Sequence, residues 1–319
     1  MQEPLFMQPV LQEKMWGGTK LRDIYGYDIP SNHTGECWAI SAHPDGVGSV
    51  ENGSFAGMKL DDLYTQHPEL FDHPSSAVFP LLTKIIDAKD ALSVQVHPDD
   101  EYGLANEGEL GKTECWYIID ADEGAEIIYG HNAQTREEFT ALIAEGKWDQ
   151  LLRHVNVRKG DFFFVPSGTI HAIGAGITIL ETQQSSNTTY RVYDFDRIQE
   201  DGTTRDLHIE QSIDVSMIPH TDPVNDFVVS EEDGNQFITF IQSDYFSVYK
   251  WDIQTKAAFT KFAPYLLVSV LEGNGSLTID GKNYPLKKGQ HFIIPHPVEE
   301  WTLSGNLQLI VSHPGPKNK

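Results

Sequence analysis

The sequence predicts an all-β fold with helical insertions, arranged as two β-barrel modules, the first of which carries a metal site. Three observations support this. Short runs rich in β-branched and aromatic residues recur between Gly, Pro and Asn turn clusters. Helical periodicity is clearest in two stretches, Lys59 to Phe71 and Thr135 to His154. A glycine-to-proline strand pattern occurs twice, from Gly160 to Pro166 and again from Gly289 to Pro295. A chain of 319 residues can form two ordinary cores. Residues 1–225 are expected to form the first module with its helical insertions, and residues 226–319 the second.

Each element follows from local chemistry. In Thr135 to His154, Thr135 and Glu138 make a capping box, and Phe139, Leu142 and Ile143 recur at helical spacing as packing residues. The helical insertions lie between candidate ligand strands, which places them as a wall of the site. Along Leu92 to Pro98, alternation sends Gln95 and His97 to one face and Val94 and Val96 to the other. Lys112 to Ile119 reads as a further strand, with Glu114 near its start and Cys115 facing away from it.

Gly160 to His171 joins an apolar strand to a tight turn. Pro166 ends the ladder because it lacks an N–H, Gly168 allows a sharp bend, and His171 returns toward the interior. In the second half, Tyr245 to Trp251 reads as an early strand. Leu267 to Gly281 reads as two strands around a Gly-rich turn, with Asp280-Gly281 marking another hairpin turn. Gly289 to Glu300 repeats the first module's spacing, but Pro297 stands where the turn glycine would be and Glu300 where the histidine would be. The second module is therefore expected to lack a metal and to serve in packing or in shielding the first barrel.

His97, Glu114, His171 and the amide oxygen of Gln95 form a mixed N/O set. Such a set suits zinc or another divalent first-row ion, with a position left for water or substrate. Lys and Arg total 23 against 47 Asp and Glu, a formal charge of −24 that excludes general binding to nucleic acid or anionic membrane. No apolar run is long enough to span a bilayer, and the first residues lack the pattern of a secretory leader, so a cytoplasmic protein is expected. The two cysteines, Cys37 and Cys115, are expected to be buried thiols.

Four blocks, Phe79 to Ala88, Ser93 to Pro98, Gly111 to Glu114 and Pro166 to Ala172, together with Asn187 to Phe195, resemble the signatures of the type I mannose-6-phosphate isomerase family. They occur in family order from Trp16-Gly17-Gly18 to about Arg197. The resemblance implies two cupin (jelly-roll β-barrel) modules. It further implies an aldose–ketose isomerase that interconverts mannose 6-phosphate and fructose 6-phosphate through an enediol, with one Zn2+ per chain held by His97, Glu114, His171 and Gln95. A monomer is expected.

On the same resemblance, Arg191 holds the enediolate or the phosphate, and Ser93, Lys112 and Arg191 bind substrate. The proton-transfer base is either Glu181 or Lys112. An anionic substrate on so acidic a protein needs local cations. Lys112 and Arg191 fill that need, and Lys84 reads as the most surface-like candidate. Glu114 lies 17 positions after His97 and Gln95 replaces a histidine, which departs from a simple cupin and favours the isomerase. A metal-dependent oxidoreductase and a non-catalytic sugar-binding module stay open as other readings.

Overall fold

The computed structural model describes residues 3–199 and 201–318. Strands dominate, and they form three sheets. A six-stranded sheet runs in the order Phe162–Val165, Glu114–Ala121, Ile177–Gln184, Leu81–Ala88, Val10–Gly18, Thr34–Ile40. A five-stranded sheet runs Tyr190–Tyr193, Val94–Val96, His171–Ala172, Glu126–His131, Leu152–Asn156. Trp16, Ile86, Trp116, Ile118 and Ile179 of the first sheet pack with Ile127 and Tyr129 of the second, so these two sheets enclose one core. The strand of the six-stranded sheet that carries Lys84 and Ile86 is buried on both faces, so its polar residues Thr83, Lys84 and Asp87 are buried as well.

The third sheet has ten strands and contains the C-terminal module. Trp251, Val268, Phe292, Trp301 and Leu309 fill its own interior. Its other apolar residues, among them Phe240, Phe246, Leu267 and Ile310, pack with Cys115, Tyr117 and Leu180 on the back of the six-stranded sheet. Cys115 thus faces away from Glu114, as strand alternation requires. Leu5–Gln8, near the start of the chain, pairs with His291–Ile294 and belongs to this third sheet.

The helices differ from the sequence reading in two respects. Lys59 to Phe71 is helix Leu60–Gln66 followed by a 3-10 turn at Pro68–Phe71, since Pro68 cannot donate to the preceding turn. Thr135 to His154 is helix Arg136–Ala144, the short helix Trp148–Leu151 and then strand Leu152–Asn156, so His154 is not helical. Thr135 caps through its hydroxyl, but Glu138 reaches back to the amide of Gln134. Phe139 and Ile143 pack with Val94 and Val96 on the outer face of the five-stranded sheet. These helices therefore support ligand strands from behind and do not wall the site.

Leu267 to Gly281 is corrected as well. Leu266–Ile279 is one continuous 14-residue strand paired with Glu300–Pro314, and Gly273 and Gly275 sit within it. The glycines serve close approach between strands: a Cβ on Gly273 would lie 1.9 Å from Asn306 O, and one on Gly275 2.2 Å from Ser304 O. Asp280-Gly281 does make the expected hairpin turn, with both residues at positive φ. Glu300, at the position equivalent to His171, is exposed and begins an edge-paired strand.

Gly273→Ala should lower stability by roughly 1–3 kcal/mol through backbone strain and this close contact. Gly57 has a similar φ of +87° but open space around it, so Gly57→Ala should cost less. Denaturant midpoints of the two variants would decide this; equal midpoints would contradict the contact.

Candidate metal centre and substrate pocket

The site lies where the two sheets of the first module meet. Glu114 opens its strand on the six-stranded side. Gln95 and His171 are cross-strand partners on the five-stranded side, and His97 follows Gln95 by two positions and shares its face. The turn Pro166 to Ile170 closes over them, with the Gly168 amide donating to the His97 carbonyl at 2.9 Å. Gly168 has φ +84°, and a Cβ there would meet Val215 O at 2.9 Å. Both constraints require glycine at this point.

The hydrogen bonds fix the state of each imidazole. His97 Nδ1 lies 2.9 Å from Thr188 O and His171 Nδ1 2.8 Å from Thr169 O. A carbonyl only accepts, so each Nδ1 carries the proton and each Nε2 presents a lone pair. Those lone pairs face a carboxylate: His171 Nε2 is 3.3 Å from Glu114 Oε1 and His97 Nε2 3.5 Å from Glu114 Oε2. Burial holds both rings neutral. His171 is pushed down to about 4, and His97 falls well below its ordinary value, helped by the nearby Lys112 charge. Acceptor facing acceptor in a buried site calls for a cation between them.

The donor set fits a divalent metal, since the three ligand atoms lie within 4.8 Å of one another and all three residues are buried. The Lys112 ammonium lies 3.0 Å from Glu114 Oε2. Lys112 Nζ also lies 3.1 Å from His97 Nε2. The ammonium thus touches the same atoms that a metal would take. The Gln95 amide nitrogen lies 3.3 Å from His171 Nε2, and a half-turn of that amide presents its oxygen to the same space.

Beside this cluster lies a cavity of about 250 Å³. Trp16, Ile86, Leu92 and Ile173 supply its apolar surface, and Ser93, Gln95, Asn187 and Thr189 its neutral polar groups. Its cations are Lys14, Lys84, Lys112, Arg191 and Arg205, and its carboxylates are Glu36 and Glu181. A row of directly paired residues, Trp38, Lys84, Glu181 and Trp116, crosses the six-stranded sheet on this face. Trp116 Nε1 lies 3.1 Å from Glu114 Oε1 and 3.0 Å from Glu181 Oε2, so one indole holds two carboxylates.

Burial and the neighbouring Glu114 charge raise the Glu181 carboxyl above its ordinary range, against the pull of Lys112 and Lys84. Burial works against the Lys112 charge, but Glu114 and Glu181 outweigh it and hold this ammonium above its ordinary value. Lys84 shows the opposite balance, with burial lowering it despite Glu36.

Residues 5–127 match the family model described as phosphomannose isomerase type I, catalytic domain, and residues 236–314 match that of the mannose-6-phosphate isomerase cupin domain. The mannose-6-phosphate isomerase of Streptococcus mutans is 56% identical over 313 residues, covering 98% of this chain and 99% of its own. The crystal structure of the mannose 6-phosphate isomerase from Bacillus subtilis has a TM-score of 0.96 at 50% identity, covering 98% of this chain and all of that one. The chain belongs to the type I phosphomannose isomerases. A mannose 6-phosphate isomerase structure from Salmonella typhimurium, at 16% identity and TM-score 0.80, shares the fold.

Every site residue expected from this phosphomannose isomerase sequence lies in one place. His97, Glu114 and His171 form the cluster, Gln95 and Lys112 touch it, and Ser93, Glu181 and Arg191 line the cavity beside it. Lys84 is corrected: it is buried, within ion-pairing distance of Glu36 and Glu181, with its ammonium over the Trp38 ring. Sequence reasoning missed Lys14, Glu36, Asn187, Thr189 and Arg205. Lys14 and Glu36 carried a signal, since alternation puts them on the inner face with Trp16 and Trp38.

Glu109 was also missed. It accepts from Ser186 Oγ, Asn187 N and Thr188 Oγ1, and so fixes the loop whose Thr188 carbonyl orients His97.

Trp116→Phe removes the donor shared by Glu114 and Glu181. It should cost about 1–3 kcal/mol of stability and weaken metal affinity by about 10- to 100-fold. Denaturant unfolding and metal titration would measure both, and unchanged affinity would contradict the role given to the indole.

Proposed function

We propose that the protein is a zinc-dependent isomerase that interconverts mannose 6-phosphate and fructose 6-phosphate through an enediol. The observation that carries this reading is the pair of buried imidazole lone pairs facing Glu114 beside a cavity rich in cations. When bound by His97, Glu114, His171 and Gln95, zinc would supply Lewis-acid stabilisation of negative charge on the sugar oxygens.

The remaining work falls to the chain's own residues. A proton must leave C2 and reach C1, and Glu181 suits that transfer better than Lys112. A carboxylate with a raised pKa is a stronger base than an exposed one, whereas an ammonium held above its ordinary value gives up its proton poorly. Lys112 stabilises the charge that develops on the C1 and C2 oxygens, and Arg191 offers a permanently charged fork to the enediolate or the phosphate. Ser93 adds a hydroxyl to the substrate contacts. The apolar side chains of the cavity exclude water from the transfer.

The same reading includes one metal per chain in a monomer, supported by a ligand cluster built within a single chain. It also includes the cytoplasm, supported by two free, buried cysteines. Among the described residues no helix is long and apolar enough to cross a membrane.

Conversion of mannose 6-phosphate by the purified protein, before and after metal removal and with zinc restored, tests the reading. Zinc-restorable turnover is expected; folded protein inactive with every divalent metal would overturn it. His97→Ala and His171→Ala should lose metal and activity together, whereas Arg191→Ala should lose turnover and keep its metal.

Glu181→Gln should reduce kcat by about 10²- to 10⁴-fold. Because its carboxyl is raised, Glu181 stays protonated to higher pH than an exposed glutamate. Activity should therefore fall, as pH drops, above the ordinary carboxylate range. An acid limb at the value of an exposed glutamate would argue against Glu181 as base.

A further inference from the structure

We propose that Arg205, clamped by the buried carboxylate of Asp194, binds the phosphate dianion of the substrate together with Arg191. This rests on the phosphosugar reading above and extends it to a residue outside the recognised motifs. Arg205 lies in the irregular stretch between strand Tyr190–Tyr193 and helix Ile209–Val215, yet it reaches the cavity. Its Nε and Nη2 donate to Asp194 Oδ2 and Oδ1 at 2.8 and 2.6 Å. That two-pronged contact fixes the plane of the guanidinium. Its Nη1 has no partner among the described residues.

The neighbouring arginines separate by role. Arg197 also donates to Asp194 Oδ1 and, like Arg191, keeps a buried Nε without a partner, but its Nη1 is committed to the Ala91 carbonyl and the residue does not line the cavity. Arg191 lines the cavity, is tethered through Nη1 to the Asp206 carbonyl, and keeps a buried Nε without a partner. Burial first, and then the Arg205 charge, lower Arg191, so the two guanidinium groups lie within each other's field. Three guanidinium groups stand against buried Asp194 and exposed Asp206 in a protein of charge −24. Such crowding is unfavourable until an anion arrives.

The polarity of the cavity agrees. Both of its carboxylates, Glu36 and Glu181, lie on the six-stranded sheet within 4.0 Å of Lys84, while Arg191 and Arg205 come from the chain after strand Ile177–Gln184. A phosphate at the arginine end leaves C1 and C2 of an open-chain sugar for Glu181, Lys112 and the imidazole cluster. Thr189, beside Arg191 in sequence, offers a hydroxyl to phosphate or hydroxyl oxygens.

The test compares the KM for mannose 6-phosphate with the inhibition constant of inorganic phosphate. Arg205→Ala should raise both by about 10- to 100-fold with kcat within about threefold. Asp194→Asn, which weakens the clamp, should move both constants the same way by less. If Arg205→Ala does not fold, Arg205→Lys keeps the charge without the fork and should still raise both constants severalfold. Constants within twofold of the unmodified protein, or a fall in kcat alone, would overturn the assignment. If the unmodified protein does not turn over mannose 6-phosphate, calorimetric titration with inorganic phosphate still reads the site. Loss of phosphate affinity in Arg205→Lys would uphold the assignment there, and unchanged affinity would overturn it.

Discussion

A buried carboxylate faced by two imidazole lone pairs is the constraint on which the rest of this structure depends. Glu114 is fully buried, and His97 and His171 are nearly so. Leaving such groups uncompensated costs several kcal/mol per charge. The surroundings hold them in place: two backbone carbonyls fix the histidine tautomers, one indole anchors the carboxylate, and the Glu109 network holds the loop behind His97. The helices on the outer face of the five-stranded sheet and the second barrel behind the six-stranded sheet keep both ligand-bearing surfaces from shifting.

The second consequence is electrostatic. A chain of net charge −24 repels an anionic sugar at long range, so recognition must be local. The cavity achieves this by gathering Lys14 and Lys84 from the six-stranded sheet, Lys112 from the loop before Glu114–Ala121, and arginines from the chain after strand Ile177–Gln184. The lysines are held among glutamates, which keeps Lys84 and Lys112 buried and ordered beside Glu181 and Glu114. The arginines are held mostly by backbone carbonyls and a single buried carboxylate, which leaves part of their hydrogen-bonding capacity for a ligand.

Much of this was legible in the sequence because alternation and turn chemistry are local. Gln95 and His97 share a face because strand residues two apart must, and Gly168 announced the bend that returns His171. Long-range packing was not legible in the same way. Gly273 and Gly275 look like a turn until the partner strand at Ser304 and Asn306 is known to press against them. Lys84 looks like a surface lysine because nothing within its own strand reveals Glu36, Glu181 and the Trp38 ring. The pairing of Leu5–Gln8 with His291–Ile294 joins residues almost a whole chain apart, which no local pattern encodes.

Compensation of the buried cluster's charge and lone pairs by a divalent metal is open to measurement. Anomalous diffraction at the zinc edge, from crystals of protein equilibrated with zinc, tests it directly. One strong peak per chain is expected, about 2.0–2.2 Å from His97 Nε2, His171 Nε2 and a Glu114 oxygen, with Lys112 turned toward the cavity. An ion bound elsewhere, or the Lys112 ammonium still seated between His97 and Glu114 with no peak, would contradict it.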